Sequence, residues 1–169
     1  MRIIVSDSSC LIDLRKTSLL DVFLRLPYEI LIPNTLFEDE LLKFTAEQKK
    51  ALLRAGLQVM DLPGDRVLRA QEVMHTLPRL SIHDGFAFAL AEGHPGCILL
   101  TGDDWLRQFA VQHHIEVHGV LWVIDEIYRN ALNTPAQLVL ALRFLAADST
   151  VRLPRRLLST YIRQYENLD

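Results

Sequence analysis

Short apolar runs alternate with longer segments of helical periodicity along most of the chain. The first run, from Arg2 to Ser6, contains Ile and Val without helical spacing and ends in polar residues, which predicts a buried strand followed by a turn. The most apolar run is CILLT, from Cys97 to Thr101. The pattern predicts five strands, over residues 2–6, 29–32, 57–62, 97–101 and 115–118.

The segments between these strands carry apolar residues at helical spacing and most end at Pro or Gly. Residues 81–92 include the Ala-rich stretch GFAFALA, which is typical of a helix packed at the centre of a domain. Alternating strands and helices favour an α/β fold, with a parallel sheet covered by helices on both faces. The predicted helices cover residues 10–26 (as one or two helices), 33–44, 46–55, 65–77, 81–92, 105–113, 120–132, 135–147 and 154–165.

The length and composition favour one domain spanning residues 1–169. A chain of 169 residues, half of them hydrophobic, can build one core, and no linker-like stretch divides it. The formal charge of −3 argues against nucleic-acid binding through bulk electrostatics, so any such contact must be local. One candidate patch is the group Arg152, Arg155, Arg156 and Arg163, for which a solvated helix face is the alternative interpretation.

The two cysteines, Cys10 and Cys97, lie in separate apolar runs and have no metal-binding spacing, so they are predicted to be small core residues. The N-terminal apolar run is too short for the core of a signal peptide. No apolar run approaches the roughly 18 residues of a membrane span. These features predict a cytoplasmic protein without a membrane segment.

Acidic residues follow several predicted strands at the point where each strand ends. Asp7 follows the first strand and Asp103 lies just beyond the fourth, while Glu38 and Glu40 fall in the helix after the second strand and Asp84 in the first turn of its own helix. In an open parallel sheet these carboxyl ends meet near the point where strand order reverses. A single such Asp is more often a helix cap, but several together predict a shared site.

Carboxylates brought close together repel one another unless a cation neutralises them. Oxygen-only ligands suit Mg²⁺ or Mn²⁺, which can activate water and stabilise a leaving oxygen in phosphodiester hydrolysis. The pattern therefore predicts a divalent-metal site at this edge of the sheet. Ser8, Ser9 and Thr101 are placed to orient its carboxylates by hydrogen bonds, although bonds to the local backbone are an equal alternative.

These segments resemble the PIN-domain nucleases, a family that includes the VapC toxins of toxin–antitoxin systems. The resemblance rests on the order of four segments, IIVSDSSCLIDL, IPNTLFEDELL, LSIHDGFAFALA and CILLTGDDWLR, followed by IEVHGVLWVIDE, and it spans residues 1–126. It implies a three-layer α/β/α sandwich with a central parallel sheet and a metal-dependent endoribonuclease activity. It also implies an RNA substrate, a homodimer and, for a type II toxin, a protein antitoxin as partner.

Within the resemblance, Asp7, Asp84 and Asp103 match the first, third and fourth acidic positions of the family. The second position is met by Glu40, which precedes a Leu as in the family pattern, with Glu38 as the alternative. Asp104 is expected to be a helix cap rather than a ligand. Residues 127–169 form a C-terminal helical extension beyond the motif-bearing core, without an assigned role.

Other classes of site fit less well. An aspartyl-phosphate phosphatase would need an acid where Ser9 stands, and no phosphate-binding glycine loop is present. The histidines around His113 lack the further ligands of a zinc site. Two alternatives stay open: a catalytically silent PIN-like binding module, and an RNA-processing nuclease outside any toxin–antitoxin pair.

Overall fold

The computed structural model describes residues 1–168 and contains a single five-stranded sheet in that range. All four pairings between neighbouring strands are parallel, and the spatial order of the strands is β3-β2-β1-β4-β5. The predicted parallel sheet of five strands is confirmed. The strands are β1 (Arg2–Ser6), β2 (Tyr28–Pro33), β3 (Gln58–Met60), β4 (Ile98–Leu100) and β5 (Glu116–His118).

Helices connect the strands and flank the sheet, which makes the fold a three-layer α/β/α sandwich. Most of them lie within a few residues of the predicted helices, because apolar spacing and end signals agree in those segments. The helices are α1 (Ser8–Lys16), α2 (Leu20–Phe23), α3 (Asn34–Asp39), α4 (Ala46–Arg54), α5 (Gly64–Thr76), α6 (Ile82–Glu92), α7 (Asp104–Gln112), α8 (Val120–Arg129), α9 (Pro135–Ala147) and α10 (Arg155–Glu166).

The connections place helices on opposite faces of the sheet. The chain moves from β1 through α1 and α2 to β2 on one side, and from β4 through α7 to β5 on the other. Because such crossovers are right-handed, α1 and α7 lie on opposite faces. In agreement, α8 contacts α1 and α2, while α6 contacts α5, α7 and the central strands β1, β2 and β4.

Buried hydrophobic side chains from the strands and both helical layers form one connected cluster. Cys10 and Cys97 are both buried free thiols within it, which confirms their prediction as core residues. No helix in residues 1–168 combines the length and the apolar character needed to cross a membrane.

Helix α3 is shorter than predicted. The sequence favours a helix over residues 33–44, but α3 ends at Asp39 and Glu40 is its C-cap residue. The chain leaves the helix because Leu41 and Phe44 are both buried in the core, and Thr45 then starts α4 with a capping box. Tertiary burial thus overrides local helix propensity here.

The C-terminal helices α9 and α10 pack against α8. Helix α9 contacts α8 and α10, and Leu158 and Tyr165 of α10 are buried. The hydroxyl of Tyr165 donates to Asp125 Oδ1 at 2.6 Å and that of Tyr161 to Asp125 Oδ2 at 3.1 Å. Both hydrogen bonds fix α10 against α8.

Gly85 offers a test of the packing between α5 and α6, since a Cβ atom there would lie 2.6 Å from the carbonyl oxygen of Ala70. We expect Gly85→Ala to lower the free energy of unfolding by about 1–3 kcal/mol, because the close backbone approach leaves no room for a methyl group. Gly64→Ala is the matched control, since nothing lies within 4 Å of its Cβ position. Urea denaturation checks both variants, and an unchanged or raised stability of Gly85→Ala would contradict the packing argument.

Candidate active site

The candidate site lies at the carboxyl ends of β1 and β4, where the order of the strands reverses. From β1 the chain goes first to β2 on one side and later to β4 on the other, which is the switch point where open α/β sheets bind ligands. A cavity of about 980 Å³ opens there. Its lining includes Asp7, Glu40, Asp84 and Asp103. The predicted acids therefore meet in one cavity.

Asp7 is the most deeply buried of these acids, with 5% of its surface exposed. It is the N-cap of α1, where its Oδ1 accepts from the backbone N–H of Cys10 at 3.1 Å and from the Ser9 hydroxyl at 2.8 Å. Its Oδ2 accepts from the hydroxyl of the buried Thr101, at the end of β4. These donors hold the carboxyl group in one orientation.

Burial raises the pKa of Asp7 from its ordinary value of 3.8 to about 6, because a carboxylate loses hydration there. The hydrogen bonds from Thr101, Cys10 and Ser9 act in the opposite direction, while the charge of Asp84 raises the pKa further. Asp7 is thus a buried carboxyl group whose charged form needs compensation from its surroundings.

The structure separates the two candidate glutamates. Glu40 lines the cavity, and its Oε1 accepts from the hydroxyl of Ser8 at 2.8 Å. Glu38 is exposed and does not line the cavity. The early end of α3 explains the difference, because Glu40 leaves the helix towards the first residues of α1 while Glu38 stays on the outer helix surface.

Asp84 is held by the first turn of its own helix. It forms a capping box with Ser81, whose backbone N–H and hydroxyl donate to Asp84 Oδ2 at 2.9 and 3.0 Å. Burial raises the pKa of Asp84, and the charge of Asp103 raises it further although the bonds from Ser81 oppose both effects. The charge of Asp84 thus raises the pKa of Asp7, and the charge of Asp103 raises the pKa of Asp84.

The roles of the two neighbouring aspartates differ from the sequence prediction. Asp103, and not Asp104, is the N-cap of α7, since its Oδ1 accepts from the backbone N–H of Leu106 at 2.9 Å. Asp103 has the extended backbone of an N-cap residue, whereas Asp104 is already the first helical residue. The predicted cap at Asp104 is therefore wrong. Asp103 is also bonded to Thr101, because its backbone N–H donates to the Thr101 hydroxyl oxygen at 3.1 Å.

The three serine and threonine hydroxyls act on the carboxylates. Ser9 and Thr101 donate to Asp7, and Ser8 donates to Glu40. Thr101 combines this carboxylate bond with a local backbone bond, because its hydroxyl oxygen also accepts from the N–H of Asp103. Each of these hydrogen bonds helps to hold its carboxylate in one orientation.

The carboxylate oxygens of this site suit a hard divalent cation as ligands. Glu40, Asp84 and Asp103 each have one oxygen held by a neighbouring group, while the second oxygen accepts no hydrogen bond from residues 1–168. In that same range no three Asp, Glu, His or Cys side chains form a ready-made metal cluster. Mg²⁺ commonly binds through only one or two carboxylates and keeps several waters, so the arrangement fits such an ion.

The cavity also contains side chains that the sequence analysis did not assign to the site. Asp13, Asp104 and Arg107 line it as well, and Arg107 follows Asp103 by one turn of α7. The sequence does contain a signal for Arg107, because it lies four residues after Asp103 and residues four apart share a helix face. Thr150 to Tyr161 supply another wall, and no pattern in the sequence places that distant segment here.

Comparison with family models shows a match to the PIN domain over residues 3–167. The match covers almost the whole chain and includes α8, α9 and α10, so the chain belongs to the PIN-domain family. PIN domains are generally nucleases and typically use divalent metal ions. No curated protein matches this chain.

The buried carboxyl group of Asp7 predicts a stability that depends on pH in metal-free buffer. Because its pKa is raised by folding to about 6, its contribution is most favourable below pH 4 and is lost as pH rises through about 6. Relative to Asp7→Asn, the wild-type chain should lose about 2 kcal/mol of unfolding free energy between pH 4 and pH 7. Urea denaturation with EDTA measures the difference, and a pH-independent gap between the two proteins would contradict the burial argument.

Proposed function

We propose that this chain is a divalent-metal-dependent endoribonuclease that hydrolyses RNA phosphodiester bonds at the cavity containing Asp7. The observation that carries the proposal is the meeting of four acids at the sheet switch point, three of them with an oxygen directed by a neighbouring donor and a second oxygen left without one. Membership of the PIN-domain family supports the same conclusion.

One or two of the carboxylates of Asp7, Glu40, Asp84 and Asp103 would bind Mg²⁺ or Mn²⁺ directly, and the others would bind it through its water ligands. The bound ion would supply an activated water and stabilise charge on the leaving oxygen. Ser8, Ser9 and Thr101 hold the carboxylates in place, so that little reorganisation is needed during the reaction. No protein nucleophile is needed in this scheme.

The cellular role is proposed from the family. As the toxin of a type II toxin–antitoxin system the chain would act in the cytoplasm as a homodimer and would be inhibited by a protein antitoxin. An RNA-processing nuclease without an antitoxin would use the same site. A catalytically silent binding module is the alternative of a different class, and it is disfavoured because all four acidic positions are filled.

Cleavage of RNA is the direct test of this proposal. We expect the purified chain to cut members of a mixed panel of labelled RNAs with Mg²⁺ or Mn²⁺, and to lose this activity in EDTA. Asp7→Asn should reduce cleavage at least about a hundredfold, since the amide keeps the shape and most hydrogen bonds but removes the charge. Circular dichroism checks that the variant is folded. Full activity of Asp7→Asn, or no cleavage by the folded wild-type chain, would refute the proposed mechanism.

The two glutamates provide a matched pair of variants. Glu40→Gln should lose most of the cleavage activity because Glu40 lines the cavity, whereas Glu38→Gln should stay within about twofold of the wild-type chain. Both substitutions remove one charge from the same short segment. Initial rates on one RNA give the comparison, and the reverse ranking would show that Glu40 is not part of the metal site.

A further inference from the structure

The same cavity is also lined by basic side chains that form no ion pair with its acids. Arg107 on α7 and Arg152 before α10 both line it, and Arg155 and Arg156 continue from Arg152 on the exposed surface. None of these four arginines forms an ion pair with a carboxylate of residues 1–168. Their charge is therefore free to act on a ligand.

Arg107 is partly buried beside the acids. Its guanidinium donates to the carbonyl oxygen of Thr101 at 3.2 Å, which uses one of five N–H donors and holds the group at the end of β4. The hydroxyl of that same Thr101 donates to Asp7. Arg107 is thus fixed next to the proposed reaction centre with donors to spare.

The segment that carries Arg152 is fastened on both sides. Before it, the ammonium group of Lys16 donates to the hydroxyl of Thr150 at 2.7 Å and lies 3.3 Å from the carboxylate of Asp148. After it, the hydrogen bonds of Tyr161 and Tyr165 to Asp125 fix α10. Arg152 therefore projects from a wall held in place against the cavity.

Apolar and aromatic side chains complete this side of the cavity. Trp122 stacks on His118 with ring centroids 4.5 Å apart and planes 9° from parallel, and both line the cavity with Leu157. Basic side chains beside aromatic and apolar surface are the combination that binds single strands, because phosphates meet cations and unpaired bases meet rings. A duplex hides its bases and could use only the charges.

We propose that Arg107, Arg152, Arg155 and Arg156 form a phosphate track that holds a single-stranded RNA from the acidic centre outward along the start of α10, with an unpaired base against the Trp122 side. This inference rests on the proposed function and names the side chains that hold its substrate. The arginines provide local positive charge for the phosphates of RNA. Without them, a chain with a formal charge of −3 and an acidic cavity would repel a polyanion.

The test measures RNA binding separately from cleavage. Fluorescence anisotropy with a short labelled single strand is recorded in Mg²⁺ for Asp7→Asn and for the same protein carrying Arg152→Gln, Arg107→Gln or the pair Arg155→Gln and Arg156→Gln. Gels check that the RNA stays intact. Each of the two cavity substitutions should weaken binding about tenfold and lower the slope of log affinity against log salt by about 0.7. The Arg155 and Arg156 pair should lower that slope as well.

Arg54→Gln is the matched control, since Arg54 is exposed on α4, forms no ion pair with residues 1–168 and does not line the cavity. It should leave affinity and slope unchanged. Arg107→Gln also loses the bond to Thr101, so melting temperatures are compared and Arg107→Lys should restore the salt slope. Arg152 makes no hydrogen bond to residues 1–168, so its substitution tests the track without this complication.

Several outcomes would overturn the track. Arg152→Gln with the affinity and salt slope of its parent would do so, as would a duplex of the same sequence bound as tightly as the single strand. Binding of polyglutamate in preference to RNA, with the same dependence on the arginines, would assign the patch to an acidic protein partner. Arginine-dependent RNA binding without wild-type cleavage would refute the proposed function alone, whereas cleavage without arginine-dependent binding would refute the track alone.

Discussion

Burying the carboxyl group of Asp7 is unfavourable unless donors surround it, and the way this protein provides them organises the whole site. The donors come from the first turn of α1, which directly follows β1, and from the end of β4, and β1 and β4 are neighbouring strands in the middle of the sheet. The sheet order brings Thr101 to Asp7 across 94 positions of sequence. One buried acid thus links the strand order, the start of α1 and the orientation of the neighbouring carboxylates.

The acids and arginines that line the cavity carry opposite charges but form no ion pairs with one another. The carboxylates occupy the ends of β1 and β4 and the nearby helix starts, while Arg152 approaches from the C-terminal segment. Arg107 lies beside the acids but donates to the carbonyl oxygen of Thr101, and within residues 1–168 neither Arg107 nor Arg152 forms an ion pair with a carboxylate. The carboxylates are thus available to a cation and the guanidinium groups to phosphate.

Much of the architecture could be predicted because independent local signals agreed. Periodicity, turn residues and capping residues point to the same strands and helices, and the parallel order follows from their alternation. The acids at strand ends were predictable for the same reason, since the sheet edge collects them. The family resemblance added the choice of Glu40 over Glu38, and the structure places only Glu40 in the cavity.

Other features depend on contacts that local sequence does not encode. Helix α3 ends early because Leu41 and Phe44 enter the core, although the residues around Glu40 are compatible with a longer helix. Asp103 and Asp104 are both good caps, and only the backbone conformation distinguishes them. Arg152 lines the cavity because α10 packs on α8, which is a long-range contact.

The position of the C-terminal wall also affects when the cavity is completed during synthesis. The ribosome adds all four acids before Thr150 to Tyr161, because those acids end at Asp103. A nascent chain therefore contains every residue of the sheet and of the acidic centre while one side of the cavity is still missing. Under the proposed function, such a chain would have its reactive half before its RNA-holding half, and full action on RNA would begin only after α10 has docked.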